Sequence, residues 1–354
     1  MPKKKYVLSV VLFLVLTFGT YYFVFKGYSI QEFLSSLTHV SPFYVGIACL
    51  CMFFWAFFEA LYLKRMCKHL GYRINWYQAF GYVFTECYFS AITPSSIGGQ
   101  PIQMMEMSRD GIPYRVNSVI ILLNTMIYKV ALIFLAILGV LICGAKLFSF
   151  NVLFNWLVWL GFITTIFVII CFILLVYSKK LMYKIVSFVI KLLRKLKFIK
   201  NVEEKEKKLK ESLKDYQECA KTTRRHPWML IESFIILIFQ RLSILSISYV
   251  IYKAFGLSDL NALEVISFQV WITLGADFMP FPGGVVVAEG LLLEANKLIY
   301  GTTLATSGMI LLRSISFYGI VLFSFIAYLY FHFKKRKKAK KIERGLYEKR
   351  IYTN

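Results

Sequence analysis

Apolar residues fall in blocks of about twenty along this 354-residue chain, with short polar stretches between them. A helix needs about that length to cross a hydrocarbon core of about 30 Å. The blocks predict spans at about 6–25, 43–63, 117–143, 153–177, 228–252 and 303–331. Two further apolar regions, about 76–108 and 262–299, are too long for one span and are broken in the middle. The breaks read "TPSSIGG" (93–99) and "MPFPGG" (279–284), where glycine and proline interrupt a helix. The expected fold is an all-α polytopic membrane protein.

Charge then orients the spans. Only 17% of residues are charged and 58% are hydrophobic, yet the formal net charge is +23. The positive residues cluster at the ends of apolar blocks, so the positive-inside rule explains them better than a nucleic-acid partner does. Lys3–Lys5, then Lys64, Arg65, Lys68 and Arg73, then 179–225, and "KKRKKAKK" (334–341) are expected on the cytoplasmic side, with both termini inside. Met1–Lys5 begins like a signal sequence, but the block that follows is long and lacks a small-residue cleavage site, so it reads as a retained span. With these sides assigned, the region 76–108 has to enter and leave on the cytoplasmic side, and 262–299 on the outer side. Both are predicted re-entrant hairpins, entering from opposite sides.

The two hairpins resemble each other. Each has a proline-containing break, a Gly-Gly pair (Gly98–Gly99 and Gly283–Gly284) and a full span on either side. Lys129 follows Gly99 by 30 residues, and Arg313 follows Gly284 by 29. This is the pattern of an inverted repeat built on broken helices. The organisation is read as an N-terminal membrane half (1–178), a basic cytoplasmic or interfacial helical linker (179–226), a C-terminal membrane half (227–333) and a basic tail (334–354). The linker opens with alternating apolar and basic residues, as an interfacial helix does. It continues with i,i+4 pairs such as Glu203–Lys207.

A break inside the membrane exposes backbone groups that lipid cannot satisfy, so each tip must face protein or a wet cavity. The helix after each glycine pair would point its N–H groups and positive dipole end inward, which favours an anion. Ser95, Ser96, Gln100 and Gln103 add hydrogen-bonding capacity beside Gly98 and Gly99, either for a ligand or for the tip's own carbonyls. Lys129, Arg241 and Arg313 lie within spans, where ionisable residues are costly and point to function. They are candidates to face a shared cavity and bind a lipid phosphate. Asp277 and Glu289 flank the second tip, and Glu86 and Glu106 the first; these acids either pair with the cations or meet an amine on a headgroup. Glu59, Glu232 and Glu294 are expected nearer span ends, in solvated positions. The seven cysteines lie mostly in apolar blocks without a CxxC, as small buried residues would. No nucleotide-binding, HExxH or Ser-His-Asp pattern is present, and no catalytic residue, metal or cofactor is expected.

"TPSSIGGQPIQ" (93–103) followed by "RDGIP" (109–113), with "PFPGGVVVAEG" (280–290) later, resembles the transmembrane region of bacterial lysylphosphatidylglycerol synthase/flippase proteins. The likeness extends from about Tyr6 to Phe331. Gln100 departs from the pattern, standing where an acidic residue often follows the Gly-Gly pair. The resemblance implies movement of phospholipid, especially aminoacylated phosphatidylglycerol, to the outer leaflet, and with it resistance to cationic peptides. Full-length members add a cytosolic domain that transfers lysine from its tRNA; with about twenty residues after the last span, no such domain or lysyltransferase activity is expected here.

The reading is a phospholipid flippase of the bacterial cytoplasmic membrane. Membrane phospholipids are its partners, and a homodimer and a separate lipid-modifying synthase are further candidates. The phosphate would dock at Gly98–Gly99 and Gly283–Gly284 with Lys129, Arg241 and Arg313, and an amino group would meet Asp277 and Glu289. A headgroup transferase and a small-solute or ion transporter remain as alternatives.

Overall fold

The computed structural model describes residues 40–91, 93, 98–149, 152–178, 226–277 and 287–331. The expected span 6–25, the linker from 179 to 225 and the tail 334–354 lie outside them. Eight helices make up the described chain: α1 (Pro42–His69), α2 (Trp76–Ala91), α3 (Gly99–Arg109), α4 (Tyr114–Cys143), α5 (Val152–Tyr177), α6 (Pro227–Ala254), α7 (Ala262–Asp277) and α8 (Val287–Arg313). A 3₁₀ turn extends α4 to Phe148. Beyond α8 the chain passes through a π-helical turn, Ser314–Gly319, and continues as helix to Phe331. Among the described residues there is no strand, and five stretches are long and apolar enough to cross a membrane: Pro42–His69, Tyr114–Phe148, Phe154–Leu174, Pro227–Ala254 and Ala295–Phe331. The chain is an all-α polytopic membrane protein.

The same local signals occur twice, in the same order. α1 and α6 each open with proline in the first turn and are each 28 residues long. Proline suits that position because its missing N–H would have no helical partner. Each helix ends in a Schellman motif on a glycine with positive φ: Gly71 (φ 87), with Tyr72 N–H donating to Cys67 O, and Gly256 (φ 75), with Leu257 N–H donating to Tyr252 O. A reciprocal capping box then starts each following helix. Asn75 and Gln78 exchange backbone-to-side-chain hydrogen bonds before α2, and Asn261 and Glu264 do so before α7.

α2 and α7 have 16 residues each, about 24 Å, short of a bilayer core. The next described helix in each case, α3 and α8, leads to a positive-φ glycine: Gly111 (φ 91) after α3 and Gly301 (φ 73) within α8. Long helices follow both, from Tyr114 and from 302 onward. The cations are not equivalent on this backbone alignment: Lys129 follows Gly111 by eighteen positions and Arg313 follows Gly301 by twelve.

Contacts show that the two units run in opposite directions. Glu232, near the start of α6, meets His69 Nε2 at 2.7 Å and Arg65 Nε at 3.3 Å, near the end of α1. At the other end of the pair, Ser41 N–H donates to Ala254 O at 3.5 Å. α1 and α6 are therefore antiparallel, and α2 and α7 start from opposite ends of the bundle. Lys64, Arg65, Lys68, Arg73, Arg109 and Arg115 gather at the end where α2 starts, the basic end. Lys146 pairs with Glu264 at 2.7 Å at the opposite end, where α7 starts.

α2 and α3 fold back on one another. Gln103 Nε2 donates to Tyr82 O at 3.5 Å, and Tyr82 OH donates to Asp110 Oδ2 at 2.6 Å. α7 is held by close backbone approach. A Cβ on Gly161 of α5 would overlap the Leu274 carbonyl oxygen, and one on Gly139 of α4 would press on Ser267. We expect Gly161→Val to lower stability by about 1–3 kcal/mol through overpacking. Gly46→Ala in α1, where no atom lies within 4 Å of an added Cβ, should not lower it. Thermal unfolding in detergent measures both.

Candidate functional site

Two polar groups meet inside the bundle, and Arg241 joins them. The first is a pair of acids. Glu59 of α1 is buried and accepts hydrogen bonds from Asn124 Nδ2 of α4 and from Gln240 Nε2 of α6, the latter at 3.2 Å. Glu86 of α2 accepts from Ser90 Oγ at 2.8 Å and from Cys87 Sγ at 3.7 Å. Glu86 acts electrostatically on Glu59, and the Arg241 guanidinium acts on both. No carboxylate stands within ion-pair distance of Arg241 among the described residues. Its guanidinium lies over the Tyr128 ring, 4.5 Å from the centroid, and Lys129 Nζ lies 5.3 Å from the same centroid. A desolvated cation over an aromatic face gains about 2 kcal/mol, well below what losing its water costs.

The second group is a cavity of about 210 Å³ among α4, α6, α7, α8 and the π turn. Arg241, Arg313, Gln269, Thr273, Asn296 and Ser316 supply its polar lining. Leucine, isoleucine, alanine and methionine side chains make the rest. Arg241 Nε and Gln269 Oε1 are buried without a hydrogen-bond partner among the described residues. Buried polar atoms are ordinarily satisfied, which sets these two atoms apart among the residues that line the cavity.

The sequence-based candidates separate into three groups. Arg241 and Arg313 come together in one cavity as expected. Lys129 is not among its lining residues, although it shares the Tyr128 ring with Arg241. Gly98, Gly99, Gln100 and Gln103 lie at the start of α3. Gly98 N–H donates to Thr93 Oγ1 at 3.0 Å, Gln100 Nε2 donates to Thr125 Oγ1 at 3.1 Å, and Gln103 is buried. A Cβ on Gly99 would overlap Ser90 Oγ and the Glu86 carbonyl oxygen, so glycine lets the start of α3 seat against α2. Ser95, Ser96, Gly283 and Gly284 lie outside the described residues. For Asp277 and Glu289 the backbone is helical, and their side chains lie outside the description.

Three acids can be placed directly. Glu59 is not in a solvated position near a span end: α1 continues to His69, so Glu59 is ten residues from the helix end and buried. Glu106 lies seven residues beyond Gly99 and pairs with Arg109 toward the basic end, away from the tip. Glu232 does sit near a helix end, paired with Arg65 and His69. Asn124, Gln240, Gln269 and Asn296 escaped the sequence reading. Their only signal was a neutral amide inside an apolar span, a feature that also serves ordinary helix packing.

Comparison with known proteins agrees with this architecture. A family model described as the lysylphosphatidylglycerol synthase TM region matches residues 6–324. The chain belongs to that family. It is also similar to a UPF0104 membrane protein of Archaeoglobus fulgidus, 32% identical over 91 residues. That stretch is 24% of this chain and spans 27% of the archaeal protein's length. The family is a membrane family whose description names a phospholipid, consistent with a membrane-lipid role and with contact to membrane phospholipids.

The acid node carries its own prediction. Glu59→Leu leaves the Asn124 and Gln240 amides without their acceptor and should destabilise the protein by about 1–3 kcal/mol. Glu59→Gln keeps an acceptor oxygen and should cost less. Comparing the thermal unfolding midpoints of the two variants checks the difference.

Proposed function

We propose that the chain translocates phospholipid, carrying an anionic or aminoacylated headgroup such as that of lysylphosphatidylglycerol between leaflets. The observation that supports this reading is the meeting of Arg241 and Arg313 in one cavity with apolar walls. Two guanidiniums are well suited to the oxygens of a phosphate diester, because each offers several donors in a planar fork. At about 210 Å³ the cavity is below the usual range for drug-sized ligands, about 300–1,000 Å³. It suits a headgroup, while the acyl tails remain in the bilayer.

In this reading the short helices α2–α3 and α7–α8 are re-entrant and enter from opposite sides. The basic end lies in the cytoplasm, and the host membrane is the bacterial cytoplasmic membrane. Rocking of one unit against the other, about the antiparallel α1–α6 contact, would expose the headgroup site to each leaflet in turn. A homodimer and a separate lipid-modifying synthase are proposed partners. Resistance to cationic peptides would follow from display of aminoacylated lipid outside.

The test is reconstitution in liposomes with leaflet-specific detection of labelled phosphatidylglycerol. Arg241→Ala and Arg313→Ala should each slow translocation about tenfold or more, the loss expected for a charge-assisted hydrogen bond of about 1.5–3 kcal/mol. Lys129→Ala should slow it less. Translocation at the wild-type rate in both arginine variants would exclude the cavity as the headgroup site.

A further inference from the structure

One face of α4 runs from the buried acid to the cavity. Asn124, Tyr128 and Leu132 follow one another a turn apart and so share that face. Asn124 reaches Glu59, and Leu132, fully buried, lines the cavity with Arg241. On α6, Gln240 reaches the same Glu59 at 3.2 Å, and its neighbour Arg241 forms part of the cavity wall. The half-buried Tyr128 lies between these contacts along α4. The Arg241 guanidinium stands over its ring, 4.5 Å from the centroid.

A ring face holds a cation in a way that a carboxylate does not. A carboxylate accepts guanidinium N–H groups and cancels the charge. An aromatic face attracts the charge through its quadrupole and takes none of the in-plane N–H groups. An arginine seated on a ring therefore keeps its donors and its charge for another anion. The seat matters because an arginine side chain has many rotamers, and ordering it only when a ligand arrives weakens binding. Lys129 shares the ring, with its Nζ 5.3 Å from the centroid. It stands farther off than Arg241 and is not among the residues that line the cavity.

We propose that Tyr128 is a positioning residue for the anion site: its ring seats Arg241 at the cavity wall and thereby sets the affinity for a headgroup phosphate. The inference rests on the anion reading of the cavity and deepens it. Tyr128 is not itself a lining residue, so its effect on a ligand passes through Arg241.

Calorimetry on the purified full chain tests this, with short-chain phosphatidylglycerol as the probe. Tyr128→Leu keeps an apolar side chain but removes the ring face, and affinity should fall about three- to tenfold, the cost of ordering one long side chain on binding. Tyr128→Phe keeps the face and should bind within about twofold of wild type. Ring-fluorinated phenylalanines at the same position keep the shape while draining charge from the face, so affinity should fall stepwise as fluorine is added. The loss from Tyr128→Leu should vanish in an Arg241→Ala background and persist in a Lys129→Ala background.

If Arg241→Ala weakens binding and Tyr128→Leu does not, the ring has no part in the site and the anion reading stands. The proposal is equally overturned if Tyr128→Leu costs as much without Arg241 as with it, if its cost vanishes with Lys129→Ala, or if phenylalanine fails to restore binding. If wild type does not bind the probe, or if Arg241→Ala with Arg313→Ala binds as well as wild type, the anion reading itself fails. Should Tyr128→Leu not fold, the fluorinated series decides alone, and an affinity that stays level across it overturns the proposal.

Discussion

A buried carboxylate ties the centre of this bundle together. Glu59 joins α1 to α4 through Asn124 and to α6 through Gln240, at a depth where neither lipid nor bulk water can satisfy it. A charge in such a place is tolerated only when the surrounding helices are already positioned to receive it. The antiparallel course of α1 and α6 follows the same logic. Glu232 is matched by Arg65 and His69 at one end of the pair, and Ser41 reaches the Ala254 carbonyl at the other. With α1, α4 and α6 fixed relative to one another, Arg241 is set between the acid pair and the cavity.

Around that centre the chain repeats one local grammar twice. Proline starts the first helix, a Schellman glycine ends it, and an asparagine-led capping box starts a helix too short to span. These signals depend on backbone geometry more than on side-chain identity, so they recur where the rest of the sequence differs. The polar side chains do differ: the acid pair belongs to α1 and α2, while the cavity amides belong to α7 and α8. The two units are alike in fold and unlike in chemistry.

Much of the architecture could be read from the sequence. The expected spans 43–63, 117–143, 153–177 and 228–252 each fall within an observed helix, and α3 starts at Gly99 of the first expected break, while the second expected break lies outside the described residues. Hydropathy marks these elements because lipid forces apolar side chains onto long uninterrupted helices. It misjudged the end of α1, since Lys64 to His69 continue the helix with basic residues. Long basic side chains can reach the interface from a position further in. Glu59 was consequently assigned to the wrong depth. The pairing of Arg241 with Arg313 was legible as an expectation because both are charges within spans. The amides of Asn124, Gln240 and Gln269 were not, because a single neutral amide says nothing about which neighbour it will meet.

The contact between α5 and α7 shows how such a protein can reserve its chemistry. Gly161 and the Leu274 backbone fit by shape: the missing Cβ lets the Leu274 carbonyl oxygen approach. Specificity of that kind works equally well in oil and in water. A seam closed by shape leaves the polar side chains of the bundle to gather elsewhere, around Glu59 and along the cavity wall.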